Sequence, residues 1–137
     1  MIVDLVRANI FHTNHKTIAF AVNIEGHNDS GFAGQVSSGY WRELADTGRK
    51  QLGDVLSREV GDKTFYALVC HSLGKDGWKK TPETLEKCLN SINVPEDETI
   101  AIVLIGSGMI GQLGGADTFA VLGAMARSKK RLVIYAR

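Results

Sequence analysis

Two uninterrupted apolar runs, Thr99–Ile105 (TIAIVLI) and Arg131–Tyr135 (RLVIY), constrain the fold of this chain more than any other feature. Neither alternates polar with apolar residues, as a strand with one wet face does. Both have the pattern of strands covered on two sides. Such strands need helices on each face of a largely parallel sheet, and a helical stretch, Asp117–Arg127, lies between them.

The rest of the chain repeats this alternation. Ile2–Val6 and Thr17–Val22 are short apolar runs with β-branched residues, and Asp54–Val60 is a weaker, alternating segment. A Gly61-Asp62 turn joins that segment to Thr64–Cys70, which predicts an antiparallel pair within the sheet. Phe32–Leu44 carries apolar residues at helical spacing. Thr81–Ile92 opens with Thr81 as N-cap, Pro82 at the first helical position and an acidic first turn. The expected fold is therefore α/β, with a mixed, mostly parallel sheet between helices. At 137 residues, with two prolines and no linker, the chain is expected to form one domain over 1–137.

Bulk charge narrows the function classes. A net charge of +1 leaves no broad electrostatic footprint for nucleic acid or an anionic membrane. The basic cluster at Arg127, Lys129, Lys130 and Arg131 falls at a helix C-terminus, where it complements the macrodipole. No apolar run approaches the ~20 residues that span a bilayer, and there is no signal-peptide pattern, so a cytoplasmic location is expected. Cys70 and Cys88 fit neither a metal spacing nor a disulfide framework and read as small buried hydrophobes. His12 and His15 fall in a polar turn, and no His/Cys/carboxylate cluster forms, so neither metal nor cofactor is expected.

Chemistry in open α/β sheets gathers where strand ends lead into helix N-termini. Two loops qualify: Asn23–Gly31, with His27, Asn28 and Asp29, and Gly106–Gly115, which holds five glycines in ten residues. A turn needs one or two glycines; five suit a backbone that approaches a ligand and offers amide N–H groups to phosphate. Gly106, Gly108 and Gly111 satisfy a G-x-G-x-x-G string. The loop is not the dinucleotide fingerprint, because it follows a late strand and the position about 20 residues on is Arg131. Without a following Gly-Lys-Ser/Thr it is not a Walker A loop either.

Taken in order, these segments resemble the macro domain, the ADP-ribose-binding module. Val3–Phe11 (VDLVRANIF) and Thr17–Gly26 (TIAFAVNIEG) are similar to the family's first strands, a Gly-Asp-Ile segment followed by Ala-Ile-Val-Asn-Ala-x-Asn. Ser30–Val36 (SGFAGQV) is similar to its Gly-x-Gly-Ile-Ala segment. Ile100–Gly115 (IAIVLIGSGMIGQLGG) resembles its late strand and phosphate loop. The resemblance implies a three-layer α/β/α sandwich on a six-stranded mixed sheet, with ADP-ribose or a derivative, ADP-ribose 1''-phosphate or an ADP-ribosylated protein, as ligand. It places Asn9 where the family's Asp accepts the adenine amine; an Asn carbonyl accepts the same bond without charge assistance. Ile10 follows with its amide, and Tyr135 packs near adenine. Asn23 matches the Asn that reaches the distal ribose, whereas Phe20 replaces the family's other Asn. Gly31, Phe32 and Ala33 line one side of the diphosphate, and Ser107, Gly108, Met109, Ile110 and Gly111 the other.

Turnover is left open by the residues. The family's lysine-dependent deacylases use a Lys in the loop that here holds Lys75 and an Asp at the position of Ile110; without the acid that mechanism is disfavoured. A phosphatase or ADP-ribosyl hydrolase needs a polar group to activate water near the ribose, for which Asn23, His27 and Asp29 are the candidates. Asn-Asp-Ser-Gly is equally a good turn and N-cap sequence. A fold retained for protein or RNA contact is the third alternative.

Overall fold

A computed structural model describes residues 1–74, 76–104 and 110–136, with side chains omitted for 110–117. Six strands, β1 (Ile2–Arg7), β2 (Thr17–Asn23), β3 (Val55–Val60), β4 (Lys63–His71), β5 (Thr99–Val103) and β6 (Arg131–Ala136), form one sheet in the order β1-β6-β5-β2-β4-β3. All neighbours are parallel except β3, which runs antiparallel to β4. Gly61, at φ 62°, makes the two-residue turn between them, a backbone conformation glycine adopts without a Cβ clash.

Strand alternation divides the interior in two. From β2, Ile18, Phe20 and Val22 face a cluster with Val36, Trp41 and Leu44, whereas Ala19 faces Leu85, Leu89, Val121 and Met125. The first cluster lies under α1 (Gly31–Gly39) and a short 3-10 turn, Arg42–Ala45; the second lies under α2 (Thr81–Ser91) and α3 (Ile110–Arg127). The result is the three-layer α/β/α sandwich expected from the sequence. β5 and β6 are buried on both faces because each sends Ile100, Ile102, Leu132 and Ile134 to one layer and Ala101, Val103 and Tyr135 to the other.

Three element boundaries differ from expectation. The Phe32–Leu44 helix ends at Gly39, where the Ser37 and Ser38 hydroxyls bond back to the carbonyls of Gly34 and Gln35. Such bonds offer the backbone an alternative to helix, and the chain restarts as the 3-10 turn that buries Leu44. The Asp117–Arg127 helix begins earlier, at Ile110, so its glycines are helical residues rather than loop. Thr81 does not cap α2: Lys80 is the N-cap, and the Thr81 hydroxyl donates to the Cys70 carbonyl at 2.9 Å, tying the helix to the end of β4.

Phe20 stands edge-on to both Phe32 and Phe65, with ring centroids 5.5 and 6.4 Å apart. Since Phe20 is fully buried, Phe20→Ala is expected to lower the unfolding free energy by about 3–5 kcal/mol in urea titration.

Candidate functional site

The path of the chain singles out one edge of the sheet. β2 and β5 are neighbours, paired at Thr17↔Ile100, Ile18↔Ala101 and Ala19↔Ile102. From β2 the chain leaves through α1 on one face towards β4; from β5 it leaves through α3 on the other face towards β6. Where neighbouring strands send their crossovers apart, the carboxyl ends open into a cleft, the usual ligand position in open α/β sheets. The two loops singled out in the sequence are those leaving β2 and β5.

The first loop is built by two buried asparagines. Asn23 donates from Nδ2 to the His27 carbonyl at 2.8 Å, and its Oδ1 accepts the His27 N–H at 3.1 Å. Asn28 accepts the Asn23 N–H through Oδ1 and donates from Nδ2 to the Leu44 carbonyl. Beside them, Thr47 N–H donates to Gly26 and Lys50 N–H to Ile24, a short antiparallel ribbon in which His27 faces Asp46. Gly26 is required here: at φ 80°, an added Cβ would come within 2.2 Å of the Gly48 carbonyl oxygen. His27 and Asp29 are exposed.

The loop then enters α1 at Gly31, φ 59°. Ser30, the N-cap, makes no side-chain capping bond. The amides at the start of a nine-residue helix therefore lack the usual hydroxyl acceptor, and a Cβ on Gly31 would meet nothing within 4 Å. Phe32 is held from beneath by Phe20 and beside Phe11, whose ring stacks on it at 5.1 Å.

At the other end of the cleft, Asn9 follows β1. Its Oδ1 accepts the Phe11 N–H at 3.0 Å as the N-cap of a 3-10 turn, Ile10–His12, and Ile10 is buried. Tyr135, in neighbouring β6, shares a 2.8 Å hydrogen bond with Thr13 through its hydroxyl. The structure thus brings Asn9, Ile10 and Tyr135 to one end and Asn23, His27, Asp29, Gly31, Phe32 and Ala33 to the middle. Ser107, Gly108 and Met109 lie outside the described residues, as does Lys75. Ile110 and Gly111 open α3, with their side chains outside the description.

One group was not among the candidate site residues. His71 ends β4, buried, with its ring stacked on Trp78 at 3.8 Å and 8°. Burial holds its imidazole down at about 4, against a smaller opposing pull from Glu25. Adjacent strand residues point to opposite faces, so His71 and Cys70 read as no dyad. The register slips at this point, Val22 pairing with Val69 and Asn23 with His71, which leaves Cys70 an unmatched, bulged residue. The Cys70 thiol is fully buried and pushed far above its ordinary range, so it supplies no thiolate. Among the described residues no three His, Cys, Asp or Glu side chains gather as a metal site.

Two outcomes test this geometry. Gly26→Ala is expected to cost more than about 2 kcal/mol of stability, read from chemical denaturation, because the residue is both strained and blocked. The second concerns pH. His71 is neutral in the folded chain until about pH 4, whereas unfolded it takes a proton near 6.5. Its contribution is nil above that value, and stability falls as pH drops from 6.5 towards 4. The loss is about 3 kcal/mol in all, and His71→Phe should remove that part of the slope.

No family model matches the chain, and no curated protein does. Solved structures do. An Oceanobacillus iheyensis macrodomain variant with ADPR superposes with a TM-score of 0.70 at 14% identity, covering 96% of this chain and 82% of that one. A macrodomain protein from Streptomyces coelicolor gives 0.67 at 19% identity, over 100% and 99% of the two chains. Alphavirus P23pro-zbd gives 0.67 at 15% identity; the match covers 96% of this chain but only 21% of the viral one. By these superpositions, with its six-stranded mixed sheet between helices, this chain has the macrodomain fold.

Proposed function

We propose that this chain, as a single domain over 1–137, binds ADP-ribose or a derivative such as ADP-ribose 1''-phosphate or an ADP-ribosylated protein. The observation that carries the reading is the start of α1, which lacks a side-chain cap where the chain leaves β2. A helix N-terminus with unmet N–H groups attracts phosphate oxygens through hydrogen bonding and the macrodipole together. Among the described residues nothing lies within 4 Å of where a Cβ on Gly31 would stand. The reading gives the diphosphate to the amides of Gly31, Phe32 and Ala33 on one side and to Ser107–Gly111 on the other. It gives adenine to Asn9, Ile10 and Tyr135. Among the described residues Asn9 Nδ2 has no partner, and with the second lone pair of Oδ1 it is available to the base once Phe11 is capped. The macrodomain fold, shared with the O. iheyensis protein solved with ADPR, supports the same ligand class.

Hydrolysis at the distal ribose is a second reading, favoured by the exposed His27 facing Asp46 across the ribbon. In it His27 or Asp29 activates water, while Asn23, with both side-chain ends engaged by His27, orients the loop. Turnover of ADP-ribose 1''-phosphate that survives His27→Ala together with Asp29→Ala would exclude it.

Ser30→Asp tests the binding reading by separating stability from affinity. An Asp N-cap satisfies the helix and should raise stability by about 0.5–1 kcal/mol. Its carboxylate then stands where the diphosphate would bind, and ADP-ribose affinity measured by calorimetry should fall at least about tenfold. Absence of heat from the unaltered protein at millimolar ADP-ribose would refute binding altogether.

A further inference from the structure

The fold fixes the polarity of the Asn9 side chain. Its Oδ1 accepts the Phe11 N–H at 3.0 Å. A backbone N–H can only donate, so the oxygen is held toward the chain and Nδ2 is the end left over. Phe11 is itself clamped, its ring stacked on Phe32 at 5.1 Å and on Tyr40 at 5.3 Å, with planes 16° and 17° apart. Turning the amide over would set two donors face to face, which loses the bond and leaves the Phe11 N–H unmet.

Nδ2 has no hydrogen-bond partner among the described residues. It is also not one of their buried unpaired atoms, so it is open to solvent. Asn9 thus presents an outward donor, with only the second lone pair of Oδ1 beside it. An Asp in the same place, as the resemblance implies, would present the reverse: one oxygen on the Phe11 N–H, the other facing outward with no hydrogen to give. Such an acceptor selects the 6-amino group of adenine. An outward N–H instead matches a 6-oxo group, as hypoxanthine and guanine carry, and the Oδ1 lone pair takes the N1–H next to it. Adenine keeps one bond by offering a ring nitrogen to Nδ2, so it is admitted rather than selected.

We propose that Asn9 is a specificity residue that opens the base end to 6-oxopurines, so that the diphosphate sugar bound here carries hypoxanthine or guanine at least as readily as adenine. The inference rests on the binding reading above, which gives the base to Asn9, and deepens it by naming the class of base. Of the other side chains at that end, Ile10 has no polar atom and the Tyr135 hydroxyl is engaged by Thr13, which leaves Asn9 to read position 6.

The test compares ADP-ribose with its counterpart carrying hypoxanthine in place of adenine, which differs only on that edge of the base. Each is titrated by calorimetry into the unaltered protein and into Asn9→Asp. The unaltered protein should bind the hypoxanthine form at least as tightly as ADP-ribose. Asn9→Asp keeps an N-cap acceptor for Phe11 and should move the ratio toward ADP-ribose by at least about tenfold. ADP-ribose binding more than about threefold tighter in the unaltered protein, or a ratio moved by less than that in the variant, would overturn the assignment and leave the binding reading standing. Absence of heat from both ligands at millimolar concentration removes the binding reading, and this inference with it. Should the variant not fold, proton NMR of the Asn9 side-chain NH2 in the unaltered protein decides. A downfield shift with the hypoxanthine ligand supports the contact, and unmoved signals refute it.

Discussion

The parallel pairing of β2 with β5 is the constraint on which the rest of this molecule depends. It joins the half of the sheet wound through α1 to the half wound through α2 and α3. Because the crossovers leave these two strands on opposite faces, no helix closes over the edge between them. The cleft is thus a by-product of winding direction rather than of any particular side chain. The burial of β2 follows from the same position. Its Thr17–Phe20 segment and its last residues, Val22 and Asn23, are shielded from solvent because strands flank it and helices lie above and below.

A buried strand that must end in a polar loop needs its backbone groups satisfied at once. Asn23 and Asn28 meet that need with two short side chains that mimic a backbone turn, one closing on His27 and the other bridging to Leu44. This explains why polar residues at this loop need not be reactive. The Asn23 amide, which the resemblance associates with the distal ribose, is in this chain engaged at both ends by the His27 peptide groups. What the loop delivers to the cleft is chiefly the backbone at the start of α1, whose N-cap Ser30 leaves it without side-chain satisfaction.

Much of this was legible from the residues because it rests on patterns with one strong cause. The apolar runs at Thr99–Ile105 and Arg131–Tyr135 could only be doubly covered strands, and the weak Asp54–Val60 segment found its partner through the Gly61 turn. The failures have local causes. Helical spacing continued through Ser37, Ser38 and Gly39, but serine back-bonding and a glycine ended α1 there. Thr81 has the composition of a cap, yet a buried carbonyl at Cys70 claimed its hydroxyl. The bulge that leaves Cys70 unmatched beside His71 has no sign in the sequence. The glycines of 106–115 were read from composition as a phosphate loop; α3 takes up those from Gly111 on, and 106–109 lie outside the described residues.

The aromatic residues give the cleft its remaining logic. Phe20 stands where the resemblance implies an Asn, and here it is a fully buried core ring. It supports Phe32 edge-on, Phe11 stacks against Phe32, and Tyr40 stacks on the other side of Phe11 at 5.3 Å. Each such pair adds about 0.5–1.5 kcal/mol beyond burial, so the first turn of α1 is anchored by its second residue to the sheet below. An anchored turn presents its amides in one arrangement and has little conformational freedom left to lose when an anion arrives. Under the proposed reading, an anion would meet a backbone held still by this ring stack, so the stack's contribution is to the position of the first turn of α1.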